Sequence, residues 1–387
     1  MKKTIMSRRK FLSLVIGLTG SVLLGFYLGS KLVDVNVKKK GKESFKALGE
    51  DYLDQFEHVA VATGLLVPWA IVPLEDGSLI VTERPGRISL VSGGRRVTIA
   101  RFQVAAVGEA GLLGADVHPD FPGDRRLYVY ATFDVGGRLE NRVLSIRLSR
   151  DLREAVEVRT LLDGIPGARI HDGGRLRVGP DSMIYATTGD AAEPSLAQDL
   201  RSLAGKILRL GLEGEVPDDN PFPGSPVYSY GHRNPQGIDW HPGSLRMYSS
   251  EHGPVGRDEL NEIVAGGNYG WPYTSGLEGE WREGLRKPVI DFGSTSIAPS
   301  GASFVRKGLG LEGDMLIACL RGSMLVRVAF NPEGGVEGYE YMLRGRYGRL
   351  RDVVPHPEGG VLVATSNRDG RGIPRSGDDK VIWIREG

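Results

Sequence analysis

From Val59 onward the apolar and polar positions repeat one phrase: an apolar stretch, a turn built from Pro, Asp, Gly or His, then a second apolar, β-rich run. Its copies are "VPWAIVPLEDGSLIVTERPGRISLV", "LLGADVHPDFPGDRRLYVYATF", "GGRLRVGPDSMIYATTGD", "NPQGIDWHPGSLRMYSSEHG", "GASFVRKGLGLEGDMLIACLRG" and "LRDVVPHPEGGVLVATSNRDG". Each reads as a hairpin, with alternate apolar residues giving one buried face and the turn residues supplying the backbone angles of a tight reversal. The turns fall near Gly77, Gly123, Asp181, Gly243, Gly313 and Gly359; the fifth copy is the weakest, behind the widest gap and without Pro or His at its turn. A lone sheet of this kind leaves a face and two edges exposed. Repetition around an axis stacks the faces and protects the edges. The pattern therefore predicts an all-β fold, a six-bladed β-propeller of four-stranded antiparallel blades, in preference to a two-sheet sandwich. No internal boundary interrupts 56–387, which reads as one propeller domain.

The first residues break from this pattern. Arg8 and Arg9 stand directly before an apolar run from about Phe11 to Leu28. Twin arginines ahead of a modest apolar segment match a Tat export signal. The run approaches the length needed to span a bilayer, and no convincing small-residue cleavage site follows it. Residues 1–30 are accordingly expected to be a Tat-type signal or an uncleaved membrane anchor, and the polar, Lys-rich residues 31–55 a linker. The location implied is extracytoplasmic, either periplasmic or at the cell surface, with membrane attachment through the N-terminus as one form of it.

Composition adds mainly exclusions. The 55 glycines and 22 prolines suit many short strands joined by tight turns. Charged residues make up 25% and nearly cancel, for a formal net charge of +1, and no basic face or tail marks a nucleic-acid binder. Cys319 is the only cysteine, which rules out an intramolecular disulfide and a cysteine-based zinc cluster; its apolar setting reads as a buried structural thiol. No GxGxxG turn opens a βαβ unit, so nucleotide cofactors are not expected.

Three loops carry more polar and ionisable residues than turns require. In "GIPGARIHDGGRLRVGPDSMIYATTGD", His171 and Asp190 are separated by about one hairpin, so both can lie at one end of one blade. A carboxylate orienting an imidazole is the usual way to make His a general base, although a turn histidine bonded to backbone has the same spacing. In "YSYGHRNPQGIDWHP", Arg233 and Asn234 precede Pro235 on a stiff loop, a pairing suited either to a planar, oxygen-rich ligand or to a salt bridge between blades. In "SSEHGPVGRDELNEIVAGGNYGWP", Gly253 and Pro254 offer carbonyls in a rigid turn, the type of oxygen that calcium accepts, while Asp258 and Glu259 are candidates for a further cation or a salt bridge. Arg321, Arg349 and Arg351 follow. Arg349 and Arg351 alternate along a strand and point the same way, with Asp352 on the opposite face. Several arginines converging on a channel imply a polyanionic small ligand.

Taken together, "PWAIVPLEDGSLIVTERPGRISLV", "GEAGLLGADVHPDF", "HDGGRLRVGPDSMIYATTGD", "AQDLRSLAGKILRL", "YGHRNPQGIDWHP", "EHGPVGRDELNEIVAGGNYGWP" and "GRLRDVVPHPEGG" span about Leu66 to Ile384. In that order they make the chain resemble the soluble quinoprotein glucose and aldose sugar dehydrogenases, which use pyrroloquinoline quinone (PQQ) and calcium. The resemblance implies oxidation of the anomeric carbon of aldose sugars to lactones, with electrons passed to an external acceptor such as a quinone, a dye or a redox protein. It implies His171 as general base, Asp190 as the group holding its imidazole, and Arg233 and Asn234 at the quinone oxygens. Gly253 and Pro254 would present carbonyls to a Ca2+ ion, in a Lewis-acid role. Arg349 and Arg351 would face the cofactor, with Ser296 beside them as a hydrogen-bonding partner. Arg321 stands where the glucose enzymes carry a cofactor-contacting lysine, Glu109 where they carry a substrate-contacting glutamine, and His252 replaces a glutamine before Gly-Pro. These departures point to the broader aldose branch. Two other readings share the frame: a metal-dependent propeller lactonase or hydrolase using His171 with Glu109, Asp190 and Asp258, and a non-catalytic binding propeller.

Overall fold

The computed structural model describes residues 45–387. The signal or anchor segment expected over 1–30 lies outside the described residues.

Each of the six sequence phrases forms the first two strands of one four-stranded antiparallel sheet, or blade. Blade one begins with Pro68–Pro73 and Leu79–Glu83, blade two with Leu112–Val117 and Arg126–Val135, and blade three with Leu176–Val178 and Ile184–Thr188. Blades four to six begin with Pro235–Trp240 and Met247–Glu251, Pro299–Phe304 and Met315–Cys319, and Leu350–Pro355 and Val361–Thr365. The first strands of successive blades contact one another around the whole ring, the first touching both the second and the sixth. Buried clusters of Val, Ile, Leu and aromatic residues fill the wedges between neighbouring sheets. The fifth copy, weak as a sequence signal, is a complete blade whose Cys319 is fully buried.

Ring closure comes from an element outside the repeat. Glu57–Ala62 pairs antiparallel with Val381–Arg385, so the outermost strand of blade six comes from the start of the propeller. The stretch expected to be a linker is also docked over its last residues. The Glu340 carboxylate accepts the Leu48 and Gly49 N–H groups, both at 2.9 Å, and Leu53 is buried against blades five and six. An apolar residue every few positions (Phe45, Leu48, Leu53) anchors a segment whose lysines dominate its composition.

The axis is filled by a polar hub. Arg175, fully buried, lies over the Trp69 ring at 4.3 Å, and Arg351 approaches the same ring at 5.4 Å. Arg175 pairs with Asp352 at 3.1 Å and donates to the Gln236 carbonyl at 2.9 Å, while Asp352 accepts the Ile71 N–H at 2.9 Å. These residues come from blades one, three, four and six. Gly301 of blade five completes the fit, because a Cβ there would stand 2.0 Å from an Asp352 carboxylate oxygen. Burial holds the Arg175 guanidinium down to about 10. Truncating one partner of such a pair leaves an uncompensated buried charge. Asp352→Ala is therefore expected to destabilise the protein by about 3 kcal/mol or more, measured as a loss in urea unfolding free energy.

Candidate active site

Antiparallel strand order sends two kinds of connection to one end of the ring: the loop entering each blade, and the loop between its second and third strands. Most candidate residues from the sequence sit on these loops. Entry loops carry Glu109 to blade two, His171 to three, Arg233 and Asn234 to four, Ser296 to five and Arg349 to six. Second-to-third-strand loops carry Asp190 in blade three, Gly253 in four and Arg321 in five. All of these except Asp190, together with Arg351 at the start of its strand, line one cavity of about 510 Å³. Asp190 lies behind His171. Pro254 is exposed and stands outside the lining, and Asp352 belongs to the hub.

His171 and Asp190 form a tight pair, with Nδ1 2.7 Å from Oδ1. Asp190 is fully buried; its Oδ1 also accepts the Ala192 N–H at 2.9 Å, and its Oδ2 accepts the Trp271 indole N–H at 2.8 Å. A carboxylate with these acceptor bonds fixes the ring with the proton on Nδ1, leaving Nε2 as the free lone pair. His171 adopts a left-handed backbone (φ +62°), unusual for a residue with a Cβ. Its N–H donates to Glu109 Oε2 at 3.1 Å and its carbonyl accepts the Ala191 N–H at 3.2 Å. Gly189 is required alongside, since a Cβ there would lie 1.9 Å from the His171 carbonyl oxygen.

The arginines are held by carbonyls, carboxylates and rings. Arg233 donates to the His252 carbonyl at 3.2 Å and lies over Trp271 at 5.4 Å. Arg349 donates to Asp369 at 2.8 Å and to the Leu320 carbonyl at 3.2 Å. Arg351 donates to Gln236 at 2.8 Å and Ser300 at 3.2 Å, and burial lowers its guanidinium to about 9. Arg321, at the exposed rim, makes no side-chain hydrogen bond to a described residue. Asn234 accepts the Gly173 N–H at 3.0 Å.

Asp258 has a different position from a metal ligand or salt-bridge partner. Its Oδ1 accepts the Gly253 N–H at 2.8 Å, and its Oδ2 accepts the Ile297 and Ala298 N–H groups at 2.7 and 2.8 Å and the Ser296 hydroxyl at 3.1 Å. It thus ties the Gly253 turn to the Ser296 loop. Glu259 lies beneath the site beside Glu251, and burial followed by that neighbour pushes its carboxyl up to about 8. Among the described residues, no three His, Cys, Asp or Glu side chains converge as a metal cage. The Gly253 and Pro254 carbonyls accept no hydrogen bond from a described residue.

Four buried nitrogens around this cavity lack a partner: Nε of Arg84, Arg233 and Arg351, and Nε2 of His252. Buried polar groups are normally paired, and these unmatched nitrogens come from three different blades around the cavity. Arg84, Asp369, Arg371 and Trp271 were not singled out by motif. The first three had a positional signal, because each follows the second strand of its phrase, where Asp190 and Gly253 stand in their blades. Trp271 had none.

A six-bladed propeller with a carboxylate-held histidine and clustered arginines at one mouth defines a class of small-molecule enzyme. A family profile described as Glucose / Sorbosone dehydrogenase matches residues 65–375, and the chain belongs to that family of oxidoreductases. It is 32% identical over 328 residues to an aldose sugar dehydrogenase of Escherichia coli, covering 78% of this chain and 88% of that one. The PQQ-bound aldose sugar dehydrogenase of Streptomyces coelicolor superposes with a TM-score of 0.77 at 39% identity, covering 84% and 97% of the two chains. A putative glucose dehydrogenase of Thermus thermophilus gives 0.78 at 45% identity, covering 85% and 99%.

Glu109 bridges the mouth through an ion pair with Arg371 at 2.9 Å. Burial opposes its ionisation, but the His252 ring, the His171 N–H and Arg371 outweigh burial and hold its carboxyl down to about 2. A carboxyl lowered from 4.5 stabilises the fold above that pH and loses the contribution as pH falls toward 2. The stability gap between wild type and Glu109→Gln is thus expected to be smaller at about pH 3 than at about pH 7 in urea unfolding. An equal gap at both would contradict the assignment.

Proposed function

We propose that this chain is a PQQ-dependent aldose sugar dehydrogenase that oxidises the anomeric carbon of aldoses to lactones and passes the electrons to an external acceptor. The observation that carries the reading is the His171–Asp190 pair opening onto a cavity whose buried arginine nitrogens are unmatched. A cofactor with three carboxylates and two quinone oxygens answers those donors. Arg233 and Asn234 would hold the quinone oxygens, and Arg321, Arg349 and Arg351 would meet the carboxylates. The Gly253 and Pro254 carbonyls, which accept no hydrogen bond from a described residue, would suit a Ca2+ ion. PQQ supplies the two-electron acceptor for the anomeric hydrogen and its bonding pair.

The protein's own part is positioning and proton transfer. His171 Nε2 takes the proton of the anomeric hydroxyl, and buried Asp190 stabilises the imidazolium that results. Glu109, ionised and facing the cavity, accepts hydrogen bonds from sugar hydroxyls. Arg233 would supply positive charge to stabilise negative charge on a bound acceptor. The twin-arginine segment suits an exported enzyme whose acceptor lies outside the cytoplasm, with the N-terminus as a membrane tether in the uncleaved form.

Purified apo-protein is expected to reduce dye in a sugar-dependent manner only after addition of PQQ and calcium together, and with several aldoses. His171→Ala is expected to lower kcat by about 10³-fold while PQQ binding, followed by absorbance, stays near wild type. Near-normal turnover in that variant would remove His171 from the role of base.

A further inference from the structure

The widest gap in the sequence repeat, between Gly243 and Gly313, is occupied by an excursion of blade four between Ile263 and Ile290. It does not stay with its own blade. Gly266 donates to the Tyr228 carbonyl at 2.7 Å, Tyr230 to the Gly267 carbonyl at 3.0 Å, and Tyr269 back to the Tyr230 carbonyl at 2.9 Å. The segment therefore runs parallel to the outermost strand of blade three, Val227–Tyr230, and ends at the cavity side with Trp271, whose N–H meets the Gly231 carbonyl at 3.0 Å. There the indole N–H reaches Asp190 Oδ2 at 2.8 Å.

We infer that Trp271 is a positioning residue for the base: its indole N–H locks the Asp190 carboxylate in the orientation that keeps the proton of His171 on Nδ1. The inference rests on the reading of His171 as base and names a third member of that array.

A carboxylate can rotate, and two donors on Oδ1 leave the other oxygen free to swing unless something holds it. In a fully buried site water does not take that place, so the indole is the partner that fixes the plane. The indole is fixed in turn. Gln198 donates to the Trp271 carbonyl at 2.7 Å, and its amide pairs with that of Asn268 in both directions, at 3.0 and 2.9 Å. The loop bearing Gln198 is clamped by the buried Lys206 ammonium, which donates to the Leu196, Ala197 and Ala204 carbonyls at 2.9, 3.0 and 2.6 Å. The same indole ring carries the Arg233 guanidinium at 5.4 Å. One side chain thus sets both the proton acceptor and the charge beside the electron acceptor.

Trp271→Phe keeps an aromatic ring of smaller size and removes the N–H. The variant is expected to lose about tenfold in kcat, with sugar KM and PQQ affinity unchanged. In an Asp190→Ala background the same substitution is expected to cost less than about twofold, because the indole then has no partner to hold. In ¹⁵N spectra of the apo-protein, His171 is expected to show one Nδ1–H tautomer in the wild type and a mixture in Trp271→Phe, a readout that needs no dehydrogenase activity. Gln198→Leu, which frees the Trp271 carbonyl but leaves the indole intact, is expected to give a smaller loss of the same kind. An equal kcat cost with and without Asp190 would reduce Trp271 to packing. An unchanged tautomer in Trp271→Phe, with turnover at the wild-type level there and in Gln198→Leu, would overturn the inference outright.

Discussion

The stack of Arg351, Trp69 and Arg175 on Asp352 occupies the axis toward which all six blades converge. A propeller leaves a channel where its innermost strands meet, and something must fill it. Here the filling is polar, and its hydrogen bonds run to backbone groups of several blades. A low-dielectric wall surrounds these charges, so each interaction is strong when made and costly when broken. Arg351 belongs to this stack and also to the cavity wall, so the floor of the active site is the top of the hub.

The cavity inherits its order from that arrangement. No single blade holds a complete set of functional groups: the base and its carboxylate come from blade three, the arginines from blades one and four to six, and the mouth is bridged from blade two to blade six. Each group arrives on a short loop anchored at both ends by a strand, which limits its motion. His171 is one of several non-glycine residues with a left-handed backbone, and its own is held by Glu109 and by the absence of a side chain at Gly189. Strain of this kind persists where the surroundings over-determine a conformation, and it aims the imidazole into the cavity.

Much of this was legible in the sequence because a propeller writes its repeat as short hairpins with explicit turns. The six phrases became the six inner hairpins, and loop residues chosen for their chemistry met around one cavity, with Asp190 directly behind it. Reading failed where contacts depend on packing between distant segments. Asp258, equally suited on paper to a cation or a salt bridge, is satisfied by backbone N–H groups of a loop from the next blade. Residues 45–55, rich in charge, carry the few apolar side chains that dock them. Trp271 lies in blade four's sequence but serves blade three, and no spacing rule announces an excursion that changes blades. Arg84, Asp369 and Arg371 were within reach, had the register of the repeat been used to align loops rather than strands.

The pairing of Glu57–Ala62 with Val381–Arg385 has a consequence for how the molecule comes into being. During synthesis Glu57–Ala62 is made before the blades and stays an unpaired edge until Val381–Arg385 has been made. Blade six supplies Arg349, Arg351 and Arg371, so the cavity is incomplete on a nascent chain however well the earlier blades have formed. A chain that stops before Val381 leaves Glu57–Ala62 without its partner strand.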